Sequence, residues 1–248
     1  MDGRKRTRIL DVPIDMVSGS EAMERFISLM KSDKPGLIVT PNSEIVLNAS
    51  KDPELKRIIE EADLIIPDGI GLVYASKILS KPLKERVTGI DFLSRVLAYL
   101  NEIGGAVFLL GGKPEVAGQA SEKIKAEYPG LSVAGVHHGY FNASEETGIV
   151  EEINKSGAGF LCVAMGSPKQ EQFIHKHKSA FTRVRAAMGV GGSLDVWAGT
   201  LKRAPEFYQK HGLEWLYRLI QEPSRYKRML KLPVFMIKVI MSKKKITD

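Results

Sequence analysis

The sequence has 248 residues and a mass of 27.4 kDa, with 44% hydrophobic and 26% charged residues and a formal net charge of +7. This length allows one large domain, or one domain with an appendage. The composition excludes collagenous, disordered and disulfide-rich proteins and indicates an ordinary soluble globular chain.

The positive charge is concentrated at the C-terminal end. Residues 1–199 carry 24 Lys and Arg against 25 Asp and Glu, whereas residues 200–248 carry 12 against 4. All of the excess positive charge therefore falls in the last fifth of the chain, which predicts contact with an anionic partner there.

Cys162 is the single cysteine and lies in the apolar run 159–165, which is typical of a buried core thiol rather than a nucleophile. One cysteine allows no internal disulfide. The basic start at residues 4–8 is not followed by an apolar stretch long enough for a signal peptide. We therefore expect a cytoplasmic location.

Residues 9–17 can form a strand or a hairpin ahead of the main pattern. From residue 36 to about residue 190, short apolar runs alternate with amphipathic stretches of helical length, which is the βαβ rhythm of a parallel sheet. We predict six strands, each apolar enough for burial on both faces: 37–39, 64–66, 106–110, 131–136, 159–165 and 184–190.

Helix starts lie between these strands. Asp52-Pro53-Glu54 provides a cap and a proline at the first helical position. Residues 1–199 are therefore predicted to form one α/β domain with a Rossmann-like, mostly parallel sheet flanked by helices. Similar helix starts occur at Ser20, Thr88, Lys113-Pro114, Ser144 and Ser167-Pro168.

Residues 200–248 change to a pattern of helices only, divided by three prolines. We call this segment the appendage. Its apolar part, residues 230–241, is interrupted by two lysines and a proline and is shorter than the roughly 20 residues that a spanning helix needs. The pattern predicts a helical appendage that lies on a bilayer without crossing it.

Glycine-rich turns follow three of the predicted strands: Gly111-Gly112, Gly166-Ser167 and Gly191-Gly192. Parallel strands bring such turns to one edge of the sheet, where backbone N–H groups and helix dipoles can hold a phosphate. Each of these sequences alone can be no more than a tight turn, but their repetition beside Lys113 and Lys169 favours a diphosphate ligand. The motifs of NTPases and dinucleotide enzymes are absent from the sequence.

A metal-assisted site has little support in the sequence. No Asp-x-Asp pair occurs, and the histidines lack a convincing set of acidic partners. We therefore expect a site that works without a metal or another cofactor.

Asp68 follows the predicted strand 64–66, in the turn Pro67-Asp68-Gly69. Its carboxylate can cap the helix that begins near Ile70, as turn aspartates commonly do. It can equally serve as a base, because partial burial at a sheet end raises a carboxyl pKa. The residues alone favour neither role. Thr40 and Asn42, at the end of another strand, can orient a hydroxyl group or the base itself.

The motifs of the chain resemble, as a set, those of the bacterial WecG/TagA/CpsF family of glycosyltransferases. The resemblance covers nearly the whole chain. The matching motifs are Thr40-Pro41-Asn42, Pro67-Asp68-Gly69, Arg86-Val87-Thr88-Gly89, residues 165–171 and residues 189–192 running into Asp195, Trp197 and Gly199.

The resemblance is best to the branch that makes the linkage unit of wall teichoic acid. It implies inverting transfer of N-acetylmannosamine from its UDP donor to undecaprenyl-diphosphate-linked N-acetylglucosamine, forming a β-1,4 linkage. Asp68 would then deprotonate the 4-hydroxyl of the acceptor, and Arg86 would stabilise the leaving UDP. Residues expected to position the sugars are Thr40, Asn42 and Gln170, and those expected at the donor are Gly111, Gly112, Tyr140, Gly166, Lys169, Gly191, Gly192 and Asp195.

The resemblance also implies that the appendage brings the enzyme to the inner face of the cell membrane. Arg218, Arg225 and Arg228 stand at helical spacing and are expected to bind the diphosphate of the acceptor. Six apolar residues beside them are expected to contact the anionic membrane surface: Leu232, Val234, Phe235, Ile237, Val239 and Ile240.

Three alternatives remain open from the sequence. The donor can be another UDP-sugar, such as the uronic acid of N-acetylmannosamine or a hexose, used for another surface polysaccharide. The chain can instead be a nucleotide-sensing module whose basic tail binds nucleic acid, although it lacks a recognised nucleic-acid motif. Exposed apolar residues of the appendage can also be covered by self-association away from the membrane.

Overall fold

The structure is a computed structural model that describes residues 4–247. Its strands form a two-stranded antiparallel hairpin and a six-stranded parallel sheet. The strands are β1 (Arg6–Ile9), β2 (Val12–Asp15), β3 (Gly36–Val39), β4 (Leu64–Ile65), β5 (Ala106–Gly111), β6 (Ser132–His137), β7 (Phe160–Ala164) and β8 (Ala186–Gly189).

Helices connect the strands and make up the regular structure beyond residue 199. They are α1 (Gly19–Met30), α2 (Ser43–Ala49), α3 (Pro53–Glu60), α4 (Ile70–Ile78), α5 (Gly89–Glu102), α6 (Pro114–Glu127), α7 (Glu146–Ser156), α8 (Lys169–His177), α9 (Ser193–Ala198), α10 (Glu206–Lys210), α11 (Glu214–Gln221), α12 (Tyr226–Met229) and α13 (Lys231–Thr247).

The strand order of the large sheet is β4-β3-β8-β7-β5-β6, with every neighbouring pair parallel. The predicted fold class and the six predicted strands are confirmed, and residues 9–17 contribute to the β1–β2 hairpin. One expectation is wrong: β6 is an edge strand whose residues are partly exposed, so it is not buried on both faces.

Helices cover both faces of the sheet, and alternate side chains of each strand enter different cores. In β5, Phe108 and Leu110 belong to the core beneath α2, α3, α7 and α8. Val107 and Leu109 point the other way, into the core beneath α1, α5 and α6. Cys162 of β7 is fully buried, as expected for a core thiol, and burial raises the pKa of the thiol.

The N-terminal hairpin anchors the edge of the sheet next to Asp68. Asp15 is fully buried; its carboxylate accepts from Arg6 Nε at 2.8 Å and Arg25 Nη1 at 3.2 Å. The same carboxylate also accepts from the backbone N–H of Ile65 in β4 at 2.9 Å. Because β4 is only two residues long, this pairing fixes the strand end from which Asp68 follows.

Capping side chains define two of the predicted helix starts, whereas no side chain caps α6, α7 or α8, and α7 begins after Glu145 rather than at Ser144. Asp52 caps α3 and Thr88 caps α5, both as expected. Helix α1 is capped by Ser18 rather than Ser20, because Ser18 and Glu21 form a reciprocal capping box.

The appendage packs against the α/β part through α13, which contacts α2 and α4. Phe235 and Val239 of α13 are fully buried in the core that also contains Leu72. The expectation that these two residues face a membrane is therefore wrong. Among residues 4–247, no helix combines the length and the apolar character that crossing a bilayer requires.

Candidate active site

A cavity of about 600 Å³ opens at the carboxyl ends of β4, β3, β8 and β7. Ligand sites of parallel α/β sheets lie at this edge, because the connections leave a crevice there. The appendage forms the opposite wall, with Trp215, Arg218 and Phe235 among its lining residues. The sheet side contributes eight of the predicted site residues: Thr40, Asn42, Asp68, Arg86, Gly166, Gln170, Gly191 and Gly192.

Asp68 lies at the floor of this cavity. It is not a helix cap: the N-cap of α4 is Gly69, which has a φ of 95°, and no side chain caps that helix. The backbone N–H of Asp68 donates to the carbonyl of Pro41 at 3.1 Å, which ties the turn to the end of β3. The capping interpretation is therefore wrong, and the carboxylate is free to act in the cavity.

The surroundings of Asp68 make it a stronger base than a solvated carboxylate. Burial raises the pKa of Asp68 to about 7, and nearby Glu214 and Asp91 also raise it, while the Arg86 guanidinium and the backbone N–H of Gly89 act in the opposite direction. A pKa near neutral pH matches the requirement for general-base catalysis.

Thr40 and Asn42 are held in place by the backbone around them. Thr40 Oγ1 donates to the carbonyl of Gly189 at 3.3 Å, linking the ends of β3 and β8. Asn42 caps α2: its Oδ1 accepts from the N–H groups of Glu44 at 3.0 Å and Ile45 at 3.1 Å. Capping fixes the orientation of the amide, so its nitrogen remains the group that can meet a ligand.

Gln170 is almost fully buried and joins α8 to the turn after β8. Its Oε1 accepts from the N–H of Gly191 at 3.0 Å, and its Nε2 donates to Glu171 Oε1 at 2.8 Å. A side chain at Gly189 would place a Cβ 2.5 Å from Gln170 Nε2, so only glycine fits beneath this amide. Glu171 is also buried, and burial raises its carboxyl pKa. Sequence reasoning placed Glu171 in a motif but gave it no role.

Arg86 points from the segment before α5 toward the appendage. Its guanidinium pairs with Glu214 of α11 and also donates to the carbonyl of Gln209 at 3.4 Å. The sequence analysis did not identify Glu214 as a site residue, because it lies 128 positions along the chain from Arg86. The one available signal is that Glu214 is among the four acidic residues of the basic appendage.

The three predicted arginines of the appendage all line the cavity. Arg218 and Arg225 both pair with Glu222, at 3.0 Å and 2.8 Å, and Arg228 pairs with Glu44 of α2 at 2.7 Å. The guanidinium of Arg218 lies over Gly192, where a Cβ would stand 2.5 Å from Arg218 Nη2. Guanidinium groups in this arrangement can exchange a carboxylate for a phosphate, since both accept bidentate hydrogen bonds.

Five predicted donor-binding residues lie outside this cavity. The strand order places β5 and β6, and with them Gly111, Gly112 and Tyr140, on the far side of the sheet, and the N–H of Gly112 donates to the carbonyl of Ala164 in the neighbouring strand β7 at 3.0 Å. Their assignment to the donor stays a prediction. The five residues are Gly111, Gly112, Tyr140, Lys169 and Asp195.

A parallel sheet with a buried carboxylate at the strand ends and arginines opposite it is the arrangement expected of an α/β enzyme of the group-transfer class. The chain belongs to the glycosyl transferase WecG/TagA/CpsF family, whose pattern matches residues 7–248. It is therefore a glycosyltransferase, which sets aside the alternative of a nucleotide-sensing module that binds nucleic acid.

Individual relatives carry a more specific name. In Bacillus spizizenii (strain W23), a protein named N-acetylglucosaminyldiphosphoundecaprenol N-acetyl-beta-D-mannosaminyltransferase is 37% identical over 211 residues, covering 85% of this chain and 81% of the relative. A protein of the same name in Staphylococcus aureus (strain MW2) is 36% identical over 240 residues, covering 96% of this chain and 93% of the relative.

Proposed function

We propose that this glycosyltransferase moves N-acetylmannosamine from UDP to polyprenyl-diphosphate-linked N-acetylglucosamine, in the synthesis of the teichoic acid linkage unit. The observation that carries the proposal is Asp68, a carboxylate with a pKa raised to about 7 on the floor of a cavity whose opposite wall presents arginines. The names of the relatives at 36–37% identity support the choice of donor and acceptor.

In the proposed reaction, Asp68 accepts the proton of the acceptor's 4-hydroxyl. The hydroxyl oxygen then forms a bond to the anomeric carbon of the donor while the bond from that carbon to the UDP oxygen breaks. Attack from the side opposite to UDP inverts the anomeric centre and gives the β linkage. Arg86 can take up the charge that develops on UDP.

The acceptor diphosphate is assigned to Arg218, Arg225 and Arg228. Each of these guanidinium groups is paired with a carboxylate, so the arginines are oriented before the acceptor arrives. A diphosphate accepts the same charge-assisted, bidentate hydrogen bonds from guanidinium groups as a carboxylate does, so it can replace Glu222 and Glu44 as their partner.

A screen of UDP-sugars tests the proposal. With a short-chain prenyl-diphosphate N-acetylglucosamine acceptor, we expect UDP release only when UDP-N-acetylmannosamine and the acceptor are both present, and we expect it to persist in EDTA. Turnover of the uronic acid derivative or of a UDP-hexose in place of this donor would assign the enzyme to another surface polysaccharide. Loss of turnover in EDTA would contradict the metal-independent mechanism.

We further propose that the outer face of α13 lies on the membrane. Val234, Ile237 and Met241 are exposed in one stripe of α13, on the side away from the buried Phe235, and Leu230 is exposed just before the helix. Basic residues beside an apolar stripe favour binding to anionic lipid, at about 1 kcal/mol for each cation near the surface.

Vesicle co-sedimentation tests this contact. The full chain should pellet with vesicles that contain anionic lipid and much less with neutral vesicles, and added salt should weaken the binding. Equal recovery in the supernatant of both samples would contradict the proposal. Self-association through the same stripe in the absence of vesicles stays a prediction, which sedimentation velocity can measure.

A further inference from the structure

An ion pair inside the cavity connects the surroundings of Asp68 with the appendage. Glu214, at the first position of α11, pairs with Arg86, and the side chains of both residues are mostly buried, with 28% and 16% exposed. Arg86 also reaches the backbone carbonyl of Gln209. Both contacts of this guanidinium with the appendage therefore depend on the appendage being seated against the sheet edge.

Several charged groups face Asp68 from the elements around it. Arg86 precedes α5, Asp91 lies in the first turn of α5 and pairs with Arg203, and Glu214 comes from α11. The backbone N–H of Gly89 also donates to Asp68 and lowers the pKa of its carboxyl group. Farther along the same cavity, Arg218 and Arg225 are paired with Glu222, and Arg228 is paired with Glu44.

Arg86 without a partner would oppose catalysis by Asp68. A guanidinium beside a carboxylate stabilises the ionised form and makes the carboxylate a weaker base. A second carboxylate that pairs with the guanidinium offsets this effect and fixes the direction of its N–H groups. Glu214 meets both conditions, since it contacts Arg86 directly and its charge acts on Asp68.

We propose that Glu214 is a positioning residue for the transfer reaction: by pairing with Arg86, it holds that cation and keeps Asp68 a strong base while the appendage is seated. This inference rests on the proposed role of Asp68. It means that the appendage contributes a carboxylate to the reacting centre, in addition to its arginines. Undocking of the appendage would then weaken the base as well as remove one wall of the cavity.

The test is the pH dependence of the full-length Glu214→Gln variant. Glutamine keeps the size of the side chain and removes its charge. We expect the acid limb of kcat/KM to move to lower pH by about half a unit to one unit. The plateau rate at high pH should fall by about threefold to tenfold, because a weaker base transfers the proton less readily. The ratio of variant to wild-type activity should therefore rise as the pH falls.

Two further variants separate positioning from a general structural effect. Glu206→Gln removes an exposed carboxylate of the same appendage, which pairs only with Lys210 among the described residues, and should leave the pH profile unchanged. Glu214→Asp keeps the charge and should restore most of the shift of the acid limb. An acid limb that does not move in Glu214→Gln, whether or not the rate falls, would overturn the proposal.

A measurement that does not depend on turnover keeps this inference separate from the proposed function. The carboxyl carbon of Asp68 can be titrated by carbon-13 NMR in the wild type and in Glu214→Gln. A lower midpoint in the variant supports the role of Glu214 even if the donor is a different UDP-sugar. Equal midpoints overturn that role even if N-acetylmannosamine transfer is established.

Discussion

Asp68→Asn should lower kcat by about 10²–10⁴ with the identified donor and acceptor, the range expected for loss of a general base. Asparagine has nearly the same shape as aspartate but cannot accept the proton of the acceptor hydroxyl. Because the pKa of Asp68 is raised to about 7, wild-type activity should rise with pH through that region, and the variant should lack this rise. Steady-state rates of UDP release between pH 5 and pH 9 provide the measurement.

The stability of the same variant distinguishes a lost base from a damaged fold. The pKa of Asp68 is higher in the folded state than its ordinary value of 3.8, so the wild type loses stability as the pH rises from about 4 to about 7. Asparagine has no such titration. At pH 8 the variant should therefore unfold at a higher temperature than the wild type, by about 2–4 °C for each 1 kcal/mol regained.

Asp33→Asn is the matched control, because Asp33 is fully exposed and pairs only loosely with Arg185, at 3.6 Å. It should leave both kcat and the unfolding temperature near their wild-type values. Near wild-type turnover of Asp68→Asn at pH 8 would remove Asp68 from the mechanism. A variant that melts well below the wild type would show that its loss of rate is structural.

The sheet could be predicted from the sequence because its strands are continuous apolar runs bounded by turn residues, as in β5 and β7. The order of the strands within the sheet could not be predicted in this way. Chain order does not reveal that β8 lies between β3 and β7 or that β6 is at an edge. This is why β6 was expected to be buried, and why the turns after β5 and β6 were grouped with those that line the cavity.

In the site as well, the residues in local motifs could be predicted from the sequence, and a residue whose role depends on a distant partner could not. Motifs at strand ends identified Asp68, Thr40 and Gln170, because parallel strands bring their carboxyl ends to one edge. Whether Asp68 caps a helix could be decided only from the backbone structure, in which Gly69 is the N-cap of α4. Glu214 was not predicted because its role depends on a partner in a distant part of the chain, and residue type alone does not reveal such a pair.

Phe235→Ala should lower kcat/KM on the order of a hundredfold by releasing the appendage from the active site. Phe235 is fully buried between α13 and the α/β part, and its ring approaches Gly71 of α4. Truncating a buried phenylalanine to alanine costs about 3–5 kcal/mol. Since α13 packs on α2 and α4 at the cavity wall, this cost should fall on the seating of the appendage more than on the sheet.

Val234→Ala provides the control, because Val234 is the chain neighbour of Phe235 but is exposed on the outer face of α13. It should keep kcat/KM close to that of the wild type in detergent-free assays with a short-chain acceptor. Limited proteolysis should cleave Phe235→Ala near Lys202 and Arg203 faster than it cleaves Val234→Ala, while the residues of the sheet remain protected. If both variants keep wild-type activity, catalysis does not require a seated appendage. If Phe235→Ala instead loses protection throughout the sheet, α13 is part of the core that folds the whole chain, and the appendage is not a separable wall of the site.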